Sequence, residues 1–186
     1  MEEPKLLREV HLCKGRRVSL YQRIYCYKNR EFVRDVVKFG EAVAIIPFIN
    51  DKEIIMLRQF RAPIGKWIYE IPAGKIEPGE DIYETTRREL VEETGYYPEH
   101  IEKLLSVYPT PGYSDEIIHI VLARKLKFVG ARPEVGELIE IKIMSLEDAI
   151  RLVLSQEVVD SKTLIALTVY YLKHVLRDAT YVHVTS

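Results

Sequence analysis

The chain has 186 residues, of which 30% are charged and 47% apolar, as is ordinary for a globular protein. Because 27 basic residues stand against 28 acidic residues, the net charge of −1 gives no electrostatic basis for binding nucleic acid or an anionic membrane. No apolar run approaches the length of about 18 residues that a membrane span needs, and the N-terminus lacks the apolar core of a secretory signal. We therefore expect a cytoplasmic protein.

The first part of the chain has the pattern of β-strands separated by turns. Residues 18–27 and 32–39 are rich in Val, Tyr and Phe and predict an antiparallel hairpin. Residues 42–49 form a nearly continuous apolar run, which is typical of a strand buried on both faces. Residues 53–59 are predicted to be its partner, and residues 67–71 a further short strand. Because a two-stranded hairpin is only marginally stable alone, we expect the first one to pack against a partner such as a second subunit.

A loop rich in Gly and Pro, residues 73–79, leads into a predicted helix. Asp81 as N-cap with Glu84 three residues later forms a capping-box pattern, and Gly95 suits the left-handed residue that ends a helix. The helix therefore runs from about residue 82 to residue 94. The residues expected to face the core are Tyr83, Thr86, Leu90, Val91 and Thr94.

The second part of the chain continues with strands and then helices. Two strands are predicted at residues 101–108 and 117–123, joined by a turn at residues 110–114, and residues 124–136 are expected to be mostly loop. Residues 138–144 alternate as a strand does. Two helices follow, one beginning at Ser145 and one capped by Asp160 or Ser161 and ending near residue 176.

Neighbouring strands interrupted by single helices favour the α+β class. We expect an α/β/α sandwich, in which a mixed β-sheet lies between helices, with an N-terminal antiparallel hairpin or sheet. The predicted division is an N-terminal region at residues 1–40, a main domain at residues 41–178 and a tail at residues 179–186.

Three carboxylates cluster on one face of the helix after the Gly/Pro loop. Glu89, Glu92 and Glu93 fall within an arc of about 100°. Such like charges destabilise a helix by a few tenths of a kcal/mol per pair, which a bound cation would offset, and clustered carboxylates suit Mg²⁺ or Mn²⁺. From residues 88–93 alone, a solvated helix face with an ordinary Arg88–Glu92 ion pair is the more common explanation.

The spacing of the flanking residues favours the metal site. From Gly74, five residues lead to Glu80 and seven more lead to Arg88, which gives the pattern G-x5-E-x7-R-E-U-x-E-E-x-G-U, where U is a bulky aliphatic residue. This pattern closely resembles the Nudix box of the Nudix hydrolases, with its seven glycine and charged positions in register. The last position departs from the pattern, because Tyr96 stands where the family has an aliphatic residue. That departure affects packing and no metal-ligand position.

The resemblance implies both a fold and a metal site. The Nudix box forms a loop-helix-loop on a mixed sheet, and its acids bind divalent metal. By this resemblance Glu89, Glu92 and Glu93, with the backbone carbonyl of Ala73, hold two or three Mg²⁺ ions, for which Mn²⁺ could substitute. Arg88 orients the acids and, with Glu92, is placed in the catalytic machinery. The residues with structural roles in the motif are Gly74, Glu80 and Gly95.

Segments outside the box resemble the ADP-ribose pyrophosphatase subfamily. Residues 57–61 and 67–74 match the segments that enter the box in that group, and a proline 16 residues after the second glycine of the box is its hallmark. Each segment has a simpler explanation, because the arginines could be solvated and Pro-Gly is a generic turn signal. The substrate-binding residues implied by the resemblance are Arg58, Arg61, Glu70, Pro111 and Glu116.

The resemblance also implies the reaction. We expect Mg²⁺-dependent hydrolysis of ADP-ribose to AMP and ribose 5-phosphate, with Glu137 as catalytic base and Glu134 as the alternative. Other substrates left open are GDP-mannose or another nucleotide sugar, NADH, and dinucleoside polyphosphates. An alternative of another class is a nucleotide-sensing module without catalysis. In the subfamily the N-terminal region exchanges across a two-fold axis, so a homodimer is expected, with neither nucleic acid nor membrane as partner.

Overall fold

The computed structural model describes residues 2–131 and 136–175. In these residues the chain forms ten β-strands, three α-helices and a short π-helical segment. The chain divides into two compact units. The first consists of Met1–Glu41 and Tyr108–Ile117, and the second of Ala42–Val107 and Ile118–Ser186.

The first unit contains a three-stranded antiparallel sheet in the order β1-β2-β3. Its strands are β1 (Lys5–Lys14), β2 (Ser19–Tyr27) and β3 (Arg30–Lys38). The hairpin of β2 and β3 was predicted, and its two-residue turn uses Lys28 and Asn29 at φ of 48° and 60°, as tight hairpins require. Strand β1 was not predicted. All its residues are exposed, so its sequence carries none of the alternation that burial of one face imposes.

The second unit is built on two sheets, in the orders β7-β4-β9-β8 and β10-β5-β6. The apolar run predicted to be a buried strand is β4, which is buried from its second residue onward. Strand β5, also largely buried, pairs on one side with β6 and on the other with β10. The bounds are β4 (Glu41–Pro47), β5 (Glu53–Arg61), β6 (Lys66–Glu70), β7 (Ala73–Lys75), β8 (Tyr96–Val107), β9 (Ile117–Phe128) and β10 (Ile139–Ser145).

Two predicted loops are wrong in part. Residues 73–75 form β7, which pairs antiparallel with β4. Strand β9 continues to Phe128 because it pairs along its length with β8, which begins at Tyr96. The rings of Tyr96 and Phe128 lie edge to face with centroids 5.2 Å apart. Cross-strand pairing thus overrides the charged residues that made the end of β9 resemble a loop.

The helices follow their predicted caps. Helix α1 (Ile82–Thr94) has the complete capping box of Asp81 and Glu84, and it ends at Gly95 with φ of 79°. Helix α2 (Leu146–Leu154) is capped by Ser145, and α3 (Ser161–Tyr170) by Asp160. The π-helical segment is Tyr171–Val175.

Leu90 fixes the orientation of α1. It is fully buried in a core cluster with residues of β4 and β9, while Tyr83, which was expected to face the core, is 42% exposed. The acidic face of α1 is therefore turned away from this core cluster. The core partners of Leu90 are Val43, Ile45, Val121 and Ala123.

The α+β class predicted from the sequence is confirmed by these sheets and helices. Among residues 2–131 and 136–175, no helix has both the length and the apolar character that crossing a membrane would require.

Candidate active site

Backbone atoms of β7 lie directly against the acidic face of α1. A Cβ atom at Gly74 would lie 1.7 Å from Cδ of Glu89 and 1.8 Å from its Oε1, so only glycine leaves room for this carboxylate. One residue earlier, the amide of Ala73 donates to Oε2 of Glu93 over 3.1 Å. The first glycine of the motif is thus required by the close approach of a carboxylate to the backbone.

Arg88 is the hub of the motif. Its Nε and Nη2 donate to the two carboxylate oxygens of Glu80 at 2.7 and 2.8 Å. Its Nη1 donates to Glu89 at 2.7 Å and to Glu92 at 3.1 Å, and Nη2 also donates to the carbonyl of Lys75 at 3.0 Å. The simple i,i+4 ion pair considered above is therefore one part of a larger network. One guanidinium group holds three carboxylates and the backbone of β7 in fixed positions.

Glu80 is the permanent counter-charge of Arg88. Its bidentate ion pair with Arg88 lowers the pKa of Glu80 to about 2, against a smaller opposing effect of burial, and the Thr85 hydroxyl donates to it as well. Glu80 thus neutralises the arginine. Glu89 and Glu92, which share the single nitrogen Nη1, are left only partly compensated.

Glu89 and Glu93 are the two most buried carboxylates of the motif, and their pKa values are raised, whereas the pKa of Glu80 is lowered. Burial raises the pKa of Glu89 to about 7, although Arg88 opposes the shift and Glu92 and Glu137 add to it. Burial also raises the pKa of Glu93 well above its usual value, and the charges of Glu89 and Glu137 raise it further. Negative charge at Glu93, which is 5% exposed, therefore calls for a compensating cation.

The donor set fits a divalent metal ion. Within the described residues, no group of three or more His, Cys, Asp or Glu side chains converges closely enough to hold a metal ion as the side chains stand. However, Glu89, Glu92 and Glu93 each engage one carboxylate oxygen with Arg88 or Ala73, and the second oxygen accepts no hydrogen bond in the described part of the chain. Free carboxylate oxygens of this kind are what Mg²⁺ and Mn²⁺ bind.

The two arginines assigned to substrate binding lie on opposite faces of β5, because they are three residues apart on a strand. Arg58 pairs with Glu140 at 3.0 Å and lies over the ring of Trp67, 4.6 Å from its centroid. Arg61 forms a bidentate pair with Glu70, with distances of 2.8 and 2.7 Å. Burial opposes the shift, but the hydrogen bonds and charge of Glu70 raise the pKa of Arg61, and the charge of Glu93 adds to it, so Arg61 lies on the side of the acids.

Sequence reasoning missed a second cation at Glu70. The Nζ atom of Lys162, at the start of α3, donates to Oε2 of Glu70 and, at 2.9 Å, to Asp160. Thr163 of the same turn accepts a hydrogen bond from the amide of Ile71 at 3.0 Å. Asp160 was predicted only as a helix cap, and no motif in the sequence pointed to Lys162.

The remaining predicted site residues are Pro111, Glu116 and Glu137, with Glu134 as the alternative to Glu137. Pro111 and Glu116 belong to the first unit, where the amide of Ser114 donates to the carbonyl of Thr110 at 3.0 Å and closes the predicted turn. Glu137 is half-buried just before β10, and its charge acts on Glu89 and Glu93 as stated above. The alternative base, Glu134, lies outside the described residues.

Substituting Gly74 by Ala is expected to lower kcat about 100-fold, because the added methyl group would occupy the position of the Glu89 carboxylate and misplace it by an ångström or more. The melting temperature should change much less, since the carboxylate can swing outward. Gly15→Ala is the matched control, because its methyl group would meet only Val18, with the carbonyl oxygen at 3.3 Å and Cγ2 at 3.9 Å. Normal turnover by Gly74→Ala would contradict the close-approach argument.

Comparison with known proteins identifies the family. A NUDIX domain model matches residues 38–167. The chain is 38% identical over 178 residues to an ADP-ribose pyrophosphatase of Bacillus subtilis (strain 168) and 36% identical over 178 residues to a methanol dehydrogenase activator of Bacillus methanolicus, and each alignment covers 94% of this chain and 96% of the relative. A crystal structure of an ADP compounds hydrolase has the same fold, with a TM-score of 0.81 over 100% of this chain and 98% of that one, at 20% identity. The family predicted from the glycine-and-acid pattern is thus confirmed, and the chain belongs to the NUDIX domain family.

Proposed function

We propose that this protein hydrolyses the diphosphate bridge of ADP-ribose to give AMP and ribose 5-phosphate, in a reaction that requires Mg²⁺ or Mn²⁺. The observation that carries the proposal is the set of partly compensated carboxylates, Glu89, Glu92 and Glu93, held by Arg88 and by the backbone at residues 73–75. The choice of ADP-ribose is supported by the 38% identical Bacillus subtilis relative, which is named an ADP-ribose pyrophosphatase.

The residues of the motif divide the work of the site. The free oxygens of Glu89, Glu92 and Glu93, together with the carbonyl of Ala73, would hold the divalent ions. Arg88 keeps Glu89 and Glu92 in place. When bound, the ions would neutralise the negative diphosphate and lower the pKa of a bound water. In the hydrolysis, the water oxygen forms a bond to one phosphorus atom of the diphosphate, the bond between that phosphorus and the bridging oxygen breaks, and a carboxylate base accepts a proton from the water.

Substrate binding is proposed for five residues. Arg61 is the better placed of the two arginines to bind an anionic group of the substrate. It lies near the acids that would hold the metal ions, whereas Arg58 is paired with Glu140. Nε and Nη2 of Arg61 are used by Glu70, whereas Nη1 has no partner in the described part of the chain and can donate to a phosphate oxygen. The five residues are Arg58, Arg61, Glu70, Pro111 and Glu116.

Glu137→Gln is expected to lower kcat by about 100- to 10,000-fold, the range in which a general base contributes. Glu137 is the proposed base because it lies near enough to Glu89 and Glu93 for its negative charge to raise the pKa of both. The measurement is the rate of ADP-ribose hydrolysis at saturating Mg²⁺, and Glu134→Gln is the paired variant. A loss confined to Glu134→Gln would transfer the role of base to Glu134.

A substrate panel tests the function directly. The purified protein is incubated with Mg²⁺ and, separately, with ADP-ribose, ADP-mannose, GDP-mannose, NADH and a diadenosine polyphosphate, and phosphate is measured after phosphatase treatment. The proposal expects the highest kcat/KM for ADP-ribose. A preference for a GDP-sugar would overturn the choice of substrate.

Binding without turnover is the second candidate, favoured by the relative named as an activator of methanol dehydrogenase. Tight binding of ADP-ribose with no hydrolysis of any compound in the panel would support this candidate. The intact motif acids and their network with Arg88 favour hydrolysis, because clustered carboxylates of this kind hold the divalent ions that activate a water.

The assembly is also part of the proposal. We propose a homodimer formed through residues 1–40, with residues 41–178 as the catalytic domain and 179–186 as a tail, and we place the protein in the cytoplasm. The first strand, β1, supports the dimer because it exposes several large apolar side chains, each between 37% and 46% exposed. These side chains are Leu6, Leu7, Val10 and Leu12.

Light scattering of the full chain and of a Leu6→Asp, Val10→Asp double variant tests the proposed dimer, since the double variant should be monomeric.

A further inference from the structure

We propose that Lys162 is a positioning residue for substrate binding, which acts on Arg61 through the buried carboxylate of Glu70. This inference rests on the proposed function, because it concerns how the nucleotide-binding arginine is held. It assigns a role to the beginning of α3, an element to which the motif gives none.

Glu70 is the centre of the arrangement and is fully buried. Its Oε1 accepts from Nε of Arg61, and its Oε2 accepts from both Nη2 of Arg61 and Nζ of Lys162. The Lys162 side chain is 12% exposed, whereas the Arg61 side chain is 32% exposed. The lysine therefore lies on the inner side of the carboxylate, and the arginine faces outward, where a ligand can reach it.

The inner side of the cluster is held rigidly by the first turn of α3. Asp160 accepts from Lys162 at 2.9 Å, from the amide of Thr163 at 3.0 Å and from its hydroxyl at 2.6 Å. The Thr163 hydroxyl in turn accepts from the amide of Ile71 at 3.0 Å. Glu70 and the residue after it are thus attached to the same helical turn by side-chain contacts.

Charge explains why the lysine matters for the arginine. Without Lys162, the buried charge of Glu70 would be balanced by Arg61 alone, and the arginine would serve mainly to neutralise it. Lys162 shares that charge and fixes the plane of the Glu70 carboxylate. The plane of the Arg61 guanidinium follows from it, because a bidentate pair is planar. Nη1 of Arg61 is thereby aimed and kept available for an anionic ligand.

Replacing Lys162 by Met is expected to raise KM for ADP-ribose about tenfold and to change kcat less than threefold, because Lys162 pairs with Glu70 and Asp160 and not with the motif acids. Lys162→Arg should restore most of the affinity, since it returns a donor to Glu70. Lys127→Met is the matched control, because it removes an exposed lysine that is paired with Glu99. If Lys162→Met only reduced the fraction of folded protein, the apparent kcat would fall while KM stayed unchanged, and this result would overturn the proposal.

A double-variant cycle provides a second readout. If Lys162 acts through Glu70, then Lys162→Met should have almost no effect on KM in the background of Glu70→Gln, and additive effects would overturn the proposal. The same four proteins are titrated with ADP by calorimetry, which requires no turnover. If the wild type binds ADP but hydrolyses nothing in the panel, the proposed hydrolysis fails. The Lys162 inference is then judged from the ADP affinities, where a tenfold loss supports it and unchanged affinity overturns it.

Discussion

Glu93→Gln is expected to lower kcat at least about 1,000-fold, equivalent to about 4 kcal/mol in the activation barrier. The amide keeps the size of the side chain and can still accept the hydrogen bond from the amide of Ala73. It loses the negative charge, which is what a divalent cation would bind. The fold should remain intact or gain stability. The reason is that Glu93 is buried beside the charges of Glu89 and Glu137, and a neutral group removes that repulsion.

Two measurements on this variant separate catalysis from folding. Thermal denaturation should give a melting temperature equal to or above that of the wild type. Mn²⁺ binding, followed by electron paramagnetic resonance, should weaken in parallel with kcat. Glu102→Gln, an exposed carboxylate on β8, serves as the control for the chemical change. A Glu93→Gln protein with near-wild-type turnover would refute the metal assignment.

Arg88→Met is expected to destabilise the protein by about 2–3 kcal/mol and to lower kcat by about 100-fold. Removing this guanidinium leaves three carboxylates, Glu80, Glu89 and Glu92, without their shared partner, and breaking such partly buried pairs costs more than losing an exposed ion pair. Activity is expected to fall because the acids that are proposed to bind metal lose their fixed orientation. Arg88→Lys should rescue little, since an ammonium group cannot reach all three carboxylates and the carbonyl of Lys75 at once.

The neighbouring arginine offers a matched control. Arg87 lies on the same helix and is half-buried, and its side chain has no hydrogen bond or ion pair in the described part of the chain. Arg87→Met removes the same charge and adds the same side chain, and it should change stability by less than about 0.5 kcal/mol. Urea denaturation of the two variants makes the comparison. Equal losses in both would mean that net charge, and not the network, explains the effect of Arg88.

Local signals in the sequence were sufficient for helix α1 and its caps. The capping box of Asp81 and Glu84 and the left-handed Gly95 involve residues close in the chain, so their chemistry can be recognised without knowing the fold. The motif spacing also marked Gly74 as a structural position, but its close approach to the Glu89 carboxylate is visible only in the structure. The family was predicted from the fixed spacing of these residues along the sequence.

The parts that could not be predicted depend on contacts between distant segments. Strand β7 and the end of β9 exist because they pair with strands far along the chain, and their own residues have weak strand character. The cluster at Glu70 brings together residues 92 positions apart. The sequence could suggest that Glu70 binds substrate, but it could not reveal that Lys162 and Arg61 would share its carboxylate.

Gly95 has a consequence beyond ending a helix. The amides of Val129 and Gly130 donate to its carbonyl at 2.8 and 3.2 Å, and a methyl group at this position would lie 2.6 Å from the amide nitrogen of Ala131. Residues 129–131 are therefore anchored at the end of α1. A larger residue at position 95 would displace these three residues, so a change at the end of α1 would also shift the chain that directly follows β9.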